Sequence, residues 1–287
     1  MKNPHICSGR GAAPFPYGTP AVKTPGWQAS RHRPELAPNP VRQPGQVWLA
    51  GSVNARGQIG WDGAVNAWLV AGSVYRMGRR EWLTEAGWQE AYRDGIRTII
   101  DLRNPAERQP RPSDPDVGGA LAAFDVVHAP TEDPDNLEFK ALCDPYLNDP
   151  AHYAANARLF PDRLAAVFKA VAASSGGVVI HCSAGRDRSG MIAAMLQDLA
   201  GADEAEIVTS YQAAMRGINE RHRTMWPPHP HERHLDEETL APLLETRGAR
   251  VLGFVRQLNT RDFLLQNGVT EPELESVLAV LGARVSL

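Results

Sequence analysis

The stretch Val178-Val179-Ile180-His181-Cys182-Ser183-Ala184-Gly185-Arg186-Asp187-Arg188-Ser189-Gly190 limits what this chain can fold into more than any other. A short β-branched run ends in His-Cys. After five intervening residues Arg188 opens a helical pattern in which Ile192, Met195, Leu196 and Leu199 share a face. Strand, tight loop and helix start, in that order, aim loop N–H groups and the positive end of a helix at one point. Such a point holds an oxyanion. A cysteine inside it is favoured as the thiolate, the form that attacks. The planar fork of Arg188 matches phosphate oxygens two at a time.

This arrangement predicts hydrolysis of phosphate monoesters through a phosphocysteine intermediate. Cys182 is the expected nucleophile. Arg188 and the N–H groups of Ser183, Ala184, Gly185, Arg186, Asp187 and Arg188 are the expected cradle for the equatorial oxygens. An acid has to protonate the leaving oxygen and a base has to activate water. Asp187, inside the loop, is the first candidate. Ser189 is expected to hydrogen-bond the Cys182 sulfur, and His181 to brace nearby backbone. A basic residue at 186 would favour substrates with a second phosphate or acidic group. The chemistry calls for no metal and no cofactor. The readings from other classes are a phosphate-binding module without turnover and a sulfur-transfer protein. Retention of Cys182, Asp187 and Arg188 together speaks against the first, because a binder needs no nucleophile. The helix-start Ser189-Gly190 speaks against the second.

Around this stretch, short strands alternate with helices. Val47-Leu49, Val74-Tyr75, Thr98-Ile100 and Phe124-His128 read as strands. Residues 82–94, 161–173 and the stretch behind the loop read as helices, Gly95 closing the first. Asp203 with Glu206 forms a capping pair for a helix expected to reach Gly217. Further helices are expected at about 236–246, 248–266 and 271–282. The strand at 98–100 delivers Asp101 and Arg103 to a sheet edge where ligands gather. Asp101 is thus a second candidate for the acid or for orienting the loop arginine. A plain Asp101–Arg103 ion pair at the strand end reads equally well. The acidic loop Thr131-Glu132-Asp133-Pro134-Asp135 precedes the signature and is a third place for an acid. The fold class expected is α/β: a central sheet flanked by helices on both faces, with helical additions at the C-terminus, over residues 46–287.

Residues 1–45 differ in kind. They hold nine of the 23 prolines and carry Lys2, Arg10, Lys23, Arg31, Arg33 and Arg42 against Glu35. That is a net +5, which leaves −8 for the rest of a chain of net −3. A disordered, solvated tail is expected there, and no nucleic-acid partner. Three cysteines, Cys7, Cys143 and Cys182, give no disulfide framework and suit a reducing compartment. No apolar run reaches the length of a membrane span and no signal-like leader opens the chain, so a cytoplasmic location is expected. His222, His229, His231 and His234 match no tight metal-ligand spacing and read as a solvated loop. Nothing in the sequence speaks to oligomeric state.

His-Cys-x-Ala-Gly-x-Asp-Arg-x-Gly resembles the signature of the bacterial cysteine-dependent protein tyrosine and lipid phosphatase family. The resemblance extends to Tyr75-Arg76-x-Gly78, Leu83-Thr84, the run Gly95 to Arg103 and Glu107, and more weakly to Phe263-Leu264, Gly268-Val269 and Glu273-Leu274. It implies a tyrosine-phosphatase-like fold, catalytic roles for Cys182 and Arg188, and proton transfer by Asp187. It also implies a phosphorylated protein or a phosphoinositide as substrate. Where the family usually has lysine and often threonine, this chain has Arg186 and Ser189, which keep the charge and the hydroxyl. The family's Asn-x-Arg-Asp-Leu-Gly-Gly segment survives only as Asn54-Ala55-Arg56-Gly57-Gln58-Ile59-Gly60, without its aspartate.

Overall fold

The computed structural model describes residue 54, residues 57–143 and residues 148–283. The tail expected over 1–45, the strand expected at 47–49 and the Cys143 side chain lie outside what it describes. Five strands form one sheet: β1 (Trp68–Ala71), β2 (Val74–Met77), β3 (Ile96–Asp101), β4 (Asp125–His128) and β5 (Gly177–His181), in the order β1-β2-β5-β3-β4. β1 and β2 make an antiparallel hairpin, and every other neighbouring pair is parallel. β5 is therefore central. Its last residue, His181, is in register with Met77 on one side and Asp101 on the other, and Asp101 with His128 beyond. The carboxyl ends of four strands thus form one straight edge, the place where open parallel sheets bind ligands.

Nine α-helices occupy the described residues: α1 (Glu85–Arg93), α2 (Leu137–Cys143), α3 (Tyr153–Leu159), α4 (Pro161–Ala172), α5 (Arg188–Leu199), α6 (Glu204–Thr224), α7 (Glu237–Leu258), α8 (Thr260–Gln266) and α9 (Glu271–Val280). Strand residues alternate between two cores, as the period of 2 requires. Val178, Ile180 and Cys182 pack on one face with Leu164, Phe168, Met191, Met195, Tyr211 and Val251, from α4 to α7. Val179, Tyr75 and Met77 pack on the other with Trp88 of α1, Trp61 and Phe124. Helices do cover both faces, but unequally.

Two boundaries differ from the sequence reading. α6 does not stop at Gly217 but runs on to Thr224. Gly217 serves close approach instead, since a Cβ there would lie 2.5 Å from Asn66 Oδ1. The break expected at residue 247 is absent too. α7 is continuous through Arg247, whose guanidinium reaches Asp149, and ends at Asn259 in the left-handed conformation (φ 49°). Asn259 then caps α8, its side chain accepting from Asp262 N. No helix among the described residues is long and apolar enough to cross a membrane.

Candidate active site

β5 ends at His181 and α5 begins at Arg188, so residues 182–187 turn within one tight loop at the sheet edge. The turn needs Gly185. Its φ is +71°, and a Cβ there would lie 2.6 Å from Gly78 N and 2.7 Å from the Met77 carbonyl carbon. Cys182 is 2% exposed. Its Sγ accepts from Gly185 N at 3.3 Å and lies 3.4 Å from Ser189 Oγ, as expected of Ser189.

The loop carbonyls are held from outside by donors of distant stretches. Arg79 N donates to Ser183 O (3.1 Å). Asn66 Nδ2 donates to Ala184 O (2.9 Å) and Gly185 O (3.2 Å), and Tyr153 Oη to Asp187 O (2.9 Å). His181 Nδ1 lies 3.3 Å from Cys182 O. Carbonyls turned outward leave the amide N–H groups on the inner side, which is how a backbone nest for an anion is built. Sequence reasoning did not find Asn66 or Tyr153. Neither belongs to a motif, and both act only through the fold.

Arg188 is positioned by Glu107. Nη1 and Nη2 donate to the two carboxylate oxygens at 2.5 and 2.7 Å, and Glu107 also accepts from Ser183 Oγ at 2.9 Å. Burial alone would raise the Glu107 carboxyl. The bonds and charge of Arg188 outweigh it and bring the carboxyl down to about 2. The carboxylate that clamps the loop arginine is Glu107, and among the described residues Asp101 makes no ion pair with Arg188. Asp101 is fully buried beneath the loop, with Arg103 Nε and Nη2 at 2.9 and 2.8 Å and His181 Nε2 at 3.6 Å. Against the cost of burial, Arg103 holds its carboxyl well below the usual range. Asp101 and Arg103 thus form a buried ion pair at the strand end.

Glu132, on the loop after β4, reaches the site. Oε1 lies 3.3 Å from Arg188 Nη1, and the buried Oε2 has no hydrogen-bond partner. Burial pushes this carboxyl up, and the neighbouring charges of Glu107 and Asp187 add to the push against the pull of Arg188. Asp187 itself faces Arg186, whose Nε and Nη2 donate to it at 3.0 and 2.9 Å. Arg186 Nη1 and Nη2 donate as well to Glu232, at 2.7 and 3.1 Å. Arg186, the basic residue expected to favour a second phosphate or acidic group, is 3% exposed and shared by two carboxylates. The histidines expected in a solvated loop lie near Glu232, with His229 Nδ1 accepting from the N–H groups of His231 and Glu232. No cluster able to hold a metal ion occurs among the described residues.

Residues 47–278 match the model of the tyrosine phosphatase family. A tyrosine-protein phosphatase of Nostoc commune is 54% identical over 46 residues, and the match spans only 16% of each chain. Solved structures of low identity are also similar. The core catalytic domain of the PP-IP phosphatase SIW14 from S. cerevisiae is 15% identical (TM-score 0.33), covering 69% of this chain and 93% of that one. TpbA of P. aeruginosa, in a complex with pTyr, is 15% identical (TM-score 0.36), covering 72% and 92%. A family match over four-fifths of the sequence, from Val47 to Leu278, makes the chain a member of the tyrosine phosphatase family.

Proposed function

We propose that the protein hydrolyses phosphate monoesters through a phosphocysteine intermediate, with phosphotyrosine as the substrate class. The observation that carries this reading is the contact set of Cys182: a sulfur receiving the Gly185 N–H, beside the Ser189 hydroxyl, in a loop closed by an arginine that Glu107 clamps. In the first step the Cys182 thiolate attacks phosphorus, the P–O ester bond breaks, and the leaving oxygen takes a proton. In the second, water attacks phosphorus, gives its proton to the Glu132 carboxylate left when that side chain protonated the leaving oxygen, and the P–S bond breaks. The Ser189 hydroxyl supports the departing sulfur. Arg188 and the loop amides bind the equatorial oxygens through both steps.

Glu132 is the acid in this scheme. It is a buried carboxyl beside Arg188 whose proton is retained to higher pH than an ordinary glutamate's, the property a general acid needs. Phosphotyrosine is preferred to a phosphoinositide because the guanidinium that would receive a second phosphate is occupied by Asp187 and Glu232.

The test is phosphate release from para-nitrophenyl phosphate and from an alkyl phosphate, without added metal, by wild type, Cys182→Ser, Glu132→Gln and Asp187→Asn. Cys182→Ser should abolish both. Glu132→Gln should cost roughly 10²-fold on the alkyl ester, which needs a proton, and much less on para-nitrophenyl phosphate, which does not. The reverse ranking of Glu132→Gln and Asp187→Asn would assign the acid to Asp187. No release by freshly reduced wild type would leave a phosphate-binding module.

A further inference from the structure

Buried arginines in this protein come with carboxylates. Arg103 has Asp101 and Glu81, Arg186 has Asp187 and Glu232, Arg79 has Asp114, Arg188 has Glu107, and Arg247 has Asp149. Arg76 is the exception. It is 1% exposed, yet no carboxylate lies within ion-pair distance among the described residues. One Nη donates to the Ser210 carbonyl of α6, and Nε is buried with no partner. Burial lowers the guanidinium to about 10, which still leaves it charged at neutral pH. An isolated buried charge is costly unless an opposite charge answers it.

The register places Arg76 close to the nucleophile's strand end. Arg76 sits on β2 opposite Ile180 of β5, and Met77 opposite His181. Arg76 follows Val74 on the sheet face that also carries Val178, Ile180 and Cys182. The chain passes from Ile180 to the nucleophile in two residues, so Arg76 lies beneath the loop, between the sheet and α6. The other titratable groups there are Tyr153 of α3 and Tyr211 of α6, both pushed up by burial and so neutral, with Asp187 and Arg186 beyond them. Arg188 lies at the start of α5, above the loop. Cys182 lies on that same face two residues beyond Ile180, so the thiolate that the proposed reaction requires would be an anion within electrostatic reach of Arg76.

We propose that Arg76 is a positioning residue for the reaction: a permanently buried counter-charge that holds Cys182 as thiolate from beneath the loop, while Arg188 and the amides act on the phosphate from above. The proposal rests on the cysteine-phosphatase reading and deepens it. Arg76 touches neither substrate nor leaving group.

The experiment measures alkylation of Cys182 by iodoacetamide in the full chain, followed by mass spectrometry of the Cys182 peptide, at pH 6 and pH 9. Wild type is compared with Arg76→Met, Arg76→Gln and Arg76→Lys. Arg76→Met and Arg76→Gln should alkylate roughly ten-fold more slowly than wild type at pH 6, with the gap closing by pH 9. Arg76→Lys should keep most of the wild-type rate. Arg76→Gln retains a donor for the Ser210 carbonyl, so it answers the question if Arg76→Met does not fold. Equal rates at pH 6 for wild type and the two uncharged variants would overturn the proposal. So would slowing by the same factor at both pH values in all three variants, the sign of a packing role, or failure of both uncharged variants to fold. A wild-type Cys182 that does not react at pH 6 would instead overturn the phosphatase reading itself.

Discussion

His181 shows how a single buried side chain sets the conditions under which the loop exists. Burial lowers its imidazole to about 4, against the opposing pull of Asp101, so it stays neutral with Nδ1 beside the Cys182 carbonyl. Unfolded, the same ring titrates near ~6.5. Between those values the unfolded chain binds a proton that the folded one refuses, so stability falls as pH drops from about 6.5 to about 4, by on the order of 3 kcal/mol in all. Asp101, depressed in the folded state, contributes stability that is present above about 3.9 and is lost only below that, as pH falls through its folded value. Melting temperatures should therefore drop between pH 7.5 and 4.5, and His181→Asn should flatten that drop. An unchanged slope in the variant would exclude His181 as its source. At this scale Cys182 and Arg188 stood out as candidate nucleophile and arginine because phosphate chemistry needs the two on one short loop. Asp101 was ambiguous because its total burial under Arg103 is a property of packing. Glu107 entered only through a family pattern, since it meets Arg188 across 81 residues of chain.

Between elements, the link from α6 to the loop runs through one atom pair. Gly217 leaves room for Asn66, whose Nδ2 holds the carbonyls of residues 184 and 185 and whose Oδ1 accepts from Trp68 Nε1 at 2.9 Å. Gly217→Ala places a methyl 2.5 Å from Oδ1, so Asn66 must move and the loop is expected to lose two hydrogen bonds. Turnover should fall roughly ten-fold, as it should in Asn66→Ala. The double variant should be no worse than either single one, since both break the same contact. Additive losses in kcat would show that Gly217 acts by another route. This coupling also explains why a glycine read as a helix stop lies inside a helix. Local pattern suggests termination, and only the neighbour from β1's approach reveals the close contact. Strands β2 to β5, α1, α4 and α5 were legible because each carries its own apolar run or periodicity, and α1 its Thr84 cap as well. The break between α7 and α8 was not, because it depends on Asn259 adopting a left-handed turn.

At the scale of the whole molecule, the connection between α6 and α7 is fastened to the loop between β5 and α5 by Glu232 and Arg186. Two carboxylates share that one guanidinium, so on the proposed reading it is not free to receive a second phosphate at that side of the site. Glu232→Gln should return part of the cation to the site. Its effect should appear as a shift of roughly three-fold or more in kcat/KM for an inositol ring bearing adjacent phosphates relative to a phosphotyrosine peptide. The same ratio in variant and wild type would mean that Arg186 does not contribute to selectivity. The outward-held carbonyls carry a wider implication. Their donors come from the approach to β1, from the turn after β2, from α3 and from the end of β5, so the loop keeps its shape only while all four stretches are docked at once. On the proposed reading, catalysis is an AND gate on tertiary structure. Partial melting of any one of these stretches silences the chemistry while the rest of the fold still stands, and a nascent chain gains a reactive site only after its last piece has closed.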